Sequence, residues 1–155
     1  PAIEALRRAG IAHTVLPYDH VPGTGSYGLE AARALDRDPE QVFKTLIVRV
    51  ENQPRNLAVG IVPVTTRLNL KQMARAAGVK KVTMAPSAAA ERATGYVVGG
   101  ISPLGQLRAL PTVIDDSARA WGTILVSAGR RGLDIELTPG DLAVATGAIF
   151  AALRD

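Results

Sequence analysis

One lysine in this sequence stands out because of the residues around it. Lys44 lies at the start of the apolar segment Phe43–Val50, whose β-branched residues predict a strand. A lysine is rarely buried without a partner, so its ammonium group must reach water or an anion. An edge lysine that discourages aggregation is one explanation. A cation that binds an anionic ligand is the other, and the pattern leaves both open.

Two consecutive glycines are a second candidate for chemistry. Gly99 and Gly100 have no side chains, so the backbone there can approach a ligand closely and present N–H groups to an oxyanion or a phosphate. A sharp corner in a sheet would need the same residues. The pair alone therefore favours neither explanation.

A third candidate lies near the end of the chain. Ser127 ends one predicted strand and Asp134 begins the next, with Arg130 and Arg131 between them on a glycine-flanked loop. Arginines on such a loop suit phosphate contacts. A solvated hairpin tip would look the same in sequence.

Other motifs indicate no chemistry of their own. The stretch Gly23–Gly28 matches G-x-G-x-x-G, but no strand precedes it directly, as a dinucleotide fingerprint requires. In Gly100–Gly105 the second glycine falls one place too late for a nucleophile elbow. His13 and His20 have no third partner in sequence and are interpreted as structural or surface residues.

The composition excludes several classes of protein. The 155 residues include no cysteine, which excludes a disulfide scaffold, a thiolate nucleophile and cysteine metal sites. The hydrophobic fraction is 47% and the net charge is +4, as in a globular domain that tolerates an anionic partner. No apolar run approaches the ~18 residues of a membrane span. We therefore expect a soluble cytoplasmic protein with no metal, cofactor or membrane contact.

Hydrophobic periodicity and capping residues predict the elements that must position these candidates. Helices are expected at residues 2–9, 29–35, 70–77 and 87–94, after the cap Asp38 and after the capping box that begins at Thr138. Strands are expected at residues 13–18, 43–50, 57–64, 80–85, 112–115, 123–127 and 133–137, with turns at 51–55 and 128–132. Because strands and helices do not alternate strictly, we expect a mixed sheet that can close into a barrel with helices packed outside.

Three segments of the chain resemble the signatures of the YbaK/EbsC family, and most closely its Cys-tRNA(Pro) deacylase branch. They are Phe43-Lys44-Thr45-Leu46, residues 94–106 (TGYVVGGISPLGQ) and residues 126–137 (VSAGRRGLDIEL). The resemblance runs from Ala2 to the final helix. It implies an α/β fold of the α+β type, with a mixed, partly closed, barrel-like sheet flanked by helices, in a single domain over residues 1–155.

The resemblance also implies an activity. Family members remove cysteine from tRNA that prolyl-tRNA synthetase has mischarged, by attack of the substrate's own thiol on its ester carbonyl. Two catalytic residues are implied, Lys44 and Gly99. The implied substrate-binding residues are Tyr18, Thr45, Gly100, Ser127 and Asp134. Ala128 stands where close relatives often have a second glycine, so the backbone of that loop is carried over less firmly.

The implied partners are aminoacyl-tRNA, mainly its 3′ acceptor end, and prolyl-tRNA synthetase. Basic residues could add non-specific attraction for phosphate or be ordinary solvated charges; they are Lys71, Arg75, Lys80, Lys81, Arg130 and Arg131. Three alternatives remain open at this point: action on Cys-tRNA(Cys) as well, deacylation of another small aminoacyl group such as Ala-tRNA(Pro), and a non-catalytic nucleic-acid-binding module.

Overall fold

The computed structural model describes residues 1–21 and 27–155, in which helices pack around two β-sheets. The helices are α1 (Ala2–Ala9), α2 (Tyr27–Ala34), α3 (Leu70–Ala77), α4 (Ser87–Thr94) and α5 (Pro139–Thr146). The strands are β1 (Thr14–Pro17), β2 (Phe43–Val50), β3 (Gln53–Pro63), β4 (Val82–Met84), β5 (Thr112–Asp115), β6 (Ile124–Arg130), β7 (Leu133–Leu137) and β8 (Ile149–Ala151). Short 3-10 turns cover Pro39–Gln41 and Asp116–Ala120. None of the described helices is long and apolar enough to cross a membrane.

The two sheets meet where β6, an edge strand of the first, approaches the start of β2 in the second. The first has the antiparallel order β1-β7-β6, and the second has the mixed order β4-β2-β3-β5-β8, in which β5 runs parallel to β3 and β8. An isolated parallel bridge joins Val42, just before β2, to Leu125 of β6. This bridge links the two sheets. The predicted α/β class, with a mixed sheet and flanking helices, is confirmed.

Helix α2 covers the bridge. The buried side chains of Val42, Leu125 and Val64 pack against Ala31 and Ala32 of this helix. Apolar burial of this kind stabilises the contact by about 25 cal/mol per Å² of surface removed from water. The bridge is therefore held by a small core of its own.

An ion pair fastens the end of α2 to the first sheet. Both terminal nitrogens of Arg37 donate to the Glu136 carboxylate of β7, at 2.7 and 2.9 Å. The hydroxyl of Thr123 donates to the same carboxylate at 2.6 Å, and these hydrogen bonds, from Arg37 first, lower the pKa of Glu136. A bidentate pair of this type fixes geometry as well as charge.

Local signals predicted most helices and strands correctly, but four regions differ. The helix expected after Asp38 is only the 3-10 turn Pro39–Gln41, although Asp38 does accept from the Glu40 N–H at 2.9 Å. The turn ends there because the next residue, Val42, pairs with Leu125 of β6 in the bridge. The predicted turn over residues 51–55 is a tight turn at Glu51–Asn52, with Asn52 at φ 63°. Strand β8 was not predicted, and its pairing with β5 is a long-range contact.

The β6–β7 hairpin also differs from the expected loop at residues 128–132. Strand β6 continues to Arg130, and its register against β7 shifts between Ser127 and Arg130, which indicates a bulge. Gly129 occupies φ 113° within the bulge, and an added Cβ would lie 2.5 Å from a ring carbon of Tyr96. The Tyr96 hydroxyl in turn donates to the Leu104 carbonyl at 2.6 Å. Tyr96 thus ties the hairpin to the loop that follows α4.

This contact can be tested at two glycines. Replacing Gly129 with alanine should lower the free energy of unfolding by about 2–4 kcal/mol, because the new Cβ is strained at φ 113° and collides with the Tyr96 ring. Gly122→Ala is the matched control, since an added Cβ there has no heavy atom within 4 Å. Urea unfolding followed by circular dichroism measures both. Equal free energies for the two variants would show that the contact between hairpin and ring is not tight.

Candidate functional site

A cavity of about 460 Å³ opens where β2 and β6 part beyond their bridge. After this point β2 pairs with β3 and β4, and β6 pairs with β7. The volume is within the range of about 300–1,000 Å³ that is typical of small-molecule pockets. The cavity is lined by β2, the ends of β6 and β7, helix α2 and the loop after α4.

A row of polar side chains crosses the strands at the cavity. Ser127 of β6 lies directly opposite Asp134 of β7 in the antiparallel register. Lys44 and Ser127 each come two residues after the bridging pair, Val42 and Leu125. Because alternate residues of a strand share a face, both side chains leave the sheet on the side of that pair. The fold therefore brings an amine, a hydroxyl and a carboxyl group to one wall.

The carboxyl group of Asp134 is buried without a counter-charge. Its side chain is 5% exposed, and within the described ranges no lysine, arginine or histidine lies at ion-pair distance from it. Burial disfavours the charged form and raises the pKa of Asp134 to about 7. The group is thus poised between its neutral and ionised forms near neutral pH.

Lys44 is a partly buried cation whose charged form is likewise disfavoured. It lines the cavity, is partly buried, and has no carboxylate at ion-pair distance in the part of the chain that the structure describes. Burial lowers the pKa of Lys44, and the positive charge of Arg67 lowers it further. An anionic ligand would relieve both effects.

Tyr18 completes the side of the cavity formed by the first sheet. Its N–H donates to the Gly132 carbonyl at 2.9 Å, which extends the ladder between β1 and β7 by one residue. Burial raises the pKa of the Tyr18 hydroxyl, and the charges of Asp134 and Glu30 add to this, whereas a backbone hydrogen bond at Gly132 opposes it. The hydroxyl therefore stays protonated and can donate to a ligand.

The hydroxyl group of Ser127 is available to a ligand. Ser127 Oγ accepts from the Gly129 N–H at 3.1 Å, which leaves its own proton for another acceptor. Thr45 also lines the cavity, but its Oγ1 is buried and has no hydrogen-bond partner among the described residues. Buried polar atoms without partners are uncommon, because they cost stability.

The two consecutive glycines differ in their position relative to the cavity. Gly99 lies on the cavity wall with φ 95°. Gly100, which the resemblance implies as a substrate-binding residue, does not line the cavity, and its N–H donates to the Val97 carbonyl at 2.9 Å. An added Cβ at Gly100 would lie 3.2 Å from Arg130 Cα. Gly100 therefore allows the loop to pack against β6, and it leaves Gly99 as the residue that faces the cavity.

No sequence signal indicated the apolar walls of the cavity, or which of the six basic candidates line it. Arg130 and Arg131 line the cavity, whereas the other four basic candidates do not, and Lys81 pairs instead with Glu51 at 3.7 Å. The apolar lining comes from several elements: Ala31, Val42, Phe43, Leu46, Ile47, Val64, Met84, Ala85, Ala90, Val98 and Ile101. These residues look like any core residues in sequence, so no local signal could have identified them.

This arrangement suits a ligand that carries both a cationic and an anionic group. Among the described residues, no three histidine or acidic side chains come together in a way that could hold a metal ion. The cavity instead offers the ammonium group of Lys44, the buried carboxyl group of Asp134 and the hydroxyl groups of Tyr18 and Ser127.

Comparisons with known proteins identify the family. Residues 22–144 match the family model of the aminoacyl-tRNA editing domain. The chain belongs to this family. A curated relative, EbsC of Enterococcus faecalis (strain ATCC 700802 / V583), is 38% identical over 122 residues, which are 79% of this chain and 73% of the relative. It is named as a candidate Cys-tRNA(Pro)/Cys-tRNA(Cys) deacylase, and the resemblance to the YbaK/EbsC family is confirmed.

Solved structures share the fold of this editing domain. One, described as a candidate trans-editing enzyme for prolyl-tRNA synthetase, has a TM-score of 0.84 and 25% identity over 98% of this chain and 93% of that chain. Another, of a hypothetical protein, has a TM-score of 0.87 and 27% identity over 99% of this chain and 98% of that chain.

Burial of Asp134 predicts how the stability of the editing domain depends on pH. The unfolded carboxyl group ionises at a pKa of about 3.9, whereas the folded one keeps its proton up to about pH 7. The folded state binds more protons in between, so this residue makes stability fall as pH rises through that window and level off above it. From pH 5 to pH 8, the free energy of unfolding should fall by about 2–3 kcal/mol more than it does in Asp134→Asn.

Urea unfolding of both proteins at pH 5, 6, 7 and 8 measures this difference. Asp134→Asn is the control, because asparagine has nearly the same shape and does not titrate. Parallel stability curves for the two proteins would mean that Asp134 ionises normally in the folded state.

Proposed function

We propose that this editing domain is an aminoacyl-tRNA deacylase that removes cysteine from Cys-tRNA(Pro). One observation carries the proposal. A buried carboxyl group and a lysine, neither with an ion-pair partner among the described residues, line the same cavity in a chain of the aminoacyl-tRNA editing family. Six of the seven residues expected from the sequence, all but Gly100, line it. The printed name of the EbsC relative supports cysteine as the aminoacyl group.

The chemistry of the substrate matches the charges in the cavity. The 3′ end of an aminoacyl-tRNA carries an α-ammonium group on the amino acid and a phosphate beyond the terminal ribose. Asp134 pairs with the ammonium, which supplies the missing cation and favours the ionised carboxylate. Lys44 anchors the ribose–phosphate region and assists the leaving hydroxyl. Tyr18, Thr45 and Ser127 orient the aminoacyl group between these two charges.

In the proposed reaction the nucleophile is the thiol of the substrate itself, as the resemblance to the YbaK/EbsC family implies, and the chain has no cysteine of its own. The sulfur attacks the ester carbonyl carbon, the bond from that carbon to the ribose oxygen breaks, and the thiol proton ends on the ribose oxygen. The products are uncharged tRNA and the thiolactone of cysteine. Holding the thiol near the carbonyl makes the step intramolecular, which lowers its entropic barrier. Gly99 presents backbone N–H to the developing oxyanion.

We further propose that residues 1–155 act as one domain and work beside prolyl-tRNA synthetase. The description of a structural relative as a candidate trans-editing enzyme for that synthetase supports this partner. A tRNA substrate also agrees with the expectation of a cytoplasmic protein. Recognition of the substrate by its thiol would lessen the need to read the tRNA sequence.

Lys44→Ala tests the site. Deacylation of Cys-tRNA(Pro) should fall by about a hundredfold or more, because the cation that faces the substrate is lost, while the unfolding curve should stay close to that of the parent. Lys71→Ala is the matched control, since Lys71 is an exposed lysine on α3 that does not line the cavity. Full activity in Lys44→Ala would remove Lys44 from the site.

A panel of esters tests the nucleophile. Ser-tRNA(Pro) and Ala-tRNA(Pro) should be cleaved at least about tenfold more slowly than Cys-tRNA(Pro), because a hydroxyl is a weaker nucleophile than a thiol and alanine has none. Mass spectrometry of the released product should detect thiolactone before free cysteine. Equal rates would indicate attack by water, faster cleavage of the alanyl ester would favour that substrate, and binding without turnover would favour a non-catalytic module.

A further inference from the structure

The proposed reaction makes no use of one buried carboxylate beside the cavity. Glu30, on α2, is 6% exposed. Its Oε1 lies 2.7 Å from His20 Nδ1, and its Oε2 accepts from the Val21 N–H at 3.1 Å. Because a carboxylate only accepts hydrogen bonds, the proton of the histidine ring must be on Nδ1. The sequence pattern alone indicates a structural or surface role for His20, and it contains no signal for Glu30.

The other nitrogen of this ring points to the cavity wall. Arg131 Nη1 lies 3.4 Å from His20 Nε2. An arginine can only donate, so Nε2 must offer a lone pair, which agrees with a proton on Nδ1. Glu30, His20 and Arg131 therefore form a chain of hydrogen bonds from a buried carboxylate to an exposed guanidinium that lines the cavity.

The backbone also brings these residues together. An added Cβ at Gly132, which follows Arg131, would lie 2.9 Å from the Tyr18 carbonyl oxygen and 3.8 Å from His20 Cβ. The hairpin turn is thus in close contact with the segment that carries His20. Contacts of this kind limit the positions that the arginine can adopt.

We propose that His20, oriented by Glu30, is a positioning residue that holds the Arg131 guanidinium at the cavity wall, where it binds a phosphate of the tRNA 3′ acceptor strand. This inference rests on the proposed function, because it takes tRNA as the ligand. A free arginine side chain loses rotamer entropy when it binds, and holding it beforehand reduces that loss. The planar guanidinium suits paired hydrogen bonds to phosphate oxygens.

Kinetics with Cys-tRNA(Pro) test the proposal through three variants. Arg131→Ala should raise KM about tenfold, with a much smaller change in kcat, because one charge-assisted contact to phosphate is lost. It should also reduce the slope of log KM against log salt concentration by about 0.7, the value for one contact to a single strand. His20→Asn keeps an N–H donor near the Nδ1 position for Glu30 but removes the acceptor at Nε2. It should raise KM about threefold.

The coupling between the two residues separates positioning from a merely structural role. In the Arg131→Ala background, His20→Asn should change KM no further. His20→Gln, whose amide oxygen can reach the Nε2 position, should recover part of the lost affinity. An unchanged KM in His20→Asn, or the same threefold loss with and without Arg131, would overturn the proposal.

Equilibrium binding of uncharged tRNA(Pro) repeats these comparisons without turnover. If the parent protein cleaves no cysteinyl ester, the proposed function fails, and the dissociation constants still decide the positioning role. If the parent is active but the dissociation constants and KM values show no coupling between His20 and Arg131, only the positioning role fails. Urea unfolding of His20→Asn shows whether the hydrogen bond to Glu30 has been replaced without loss of fold.

Discussion

The position of the cavity depends on one short contact, a parallel bridge between two strand segments. Val42 and Leu125 join the two sheets, and the strands then part to pair with other neighbours. The side chains two positions further along each strand, Lys44 and Ser127, line the cavity that opens there. Helix α2 packs on the bridge through Ala31 and Ala32, so the same small core holds both the bridge and a helix that lines the cavity.

The charges in the cavity are arranged for a ligand and not for stability. Asp134 and Lys44 have opposite charges and line one cavity, yet neither has an ion-pair partner among the described residues. Burial disfavours the ionised form of each, and Arg67 adds repulsion to Lys44. Proteins commonly accept such local conflicts at functional sites, where a bound ligand resolves them. The buried Thr45 hydroxyl without a partner belongs to the same pattern.

The glycine-rich segment over residues 94–106 is mainly a scaffold. The Tyr96 hydroxyl binds the Leu104 carbonyl, and the Tyr96 ring packs on Gly129 of the hairpin. From this segment only Val98, Gly99 and Ile101 line the cavity. Packing constrains many residues of this segment, which makes the segment a specific signature. The same packing holds Gly99 at the cavity wall, so the segment also identifies the site.

Residues close together in sequence determined much of this protein, because capping and alternation act over a few residues. The cap Asn69 correctly predicted α3, the capping box at Thr138 predicted α5, and β5 and β7 lie where their patterns placed them. The resemblance in three segments also indicated which residues to examine. The tertiary structure alone decided the pairing of β8, the place of Gly100 behind the wall, and the raised pKa of Asp134. It also decided the link from Glu30 through His20 to Arg131, since these features arise between residues that are far apart in the chain and meet only in the folded state.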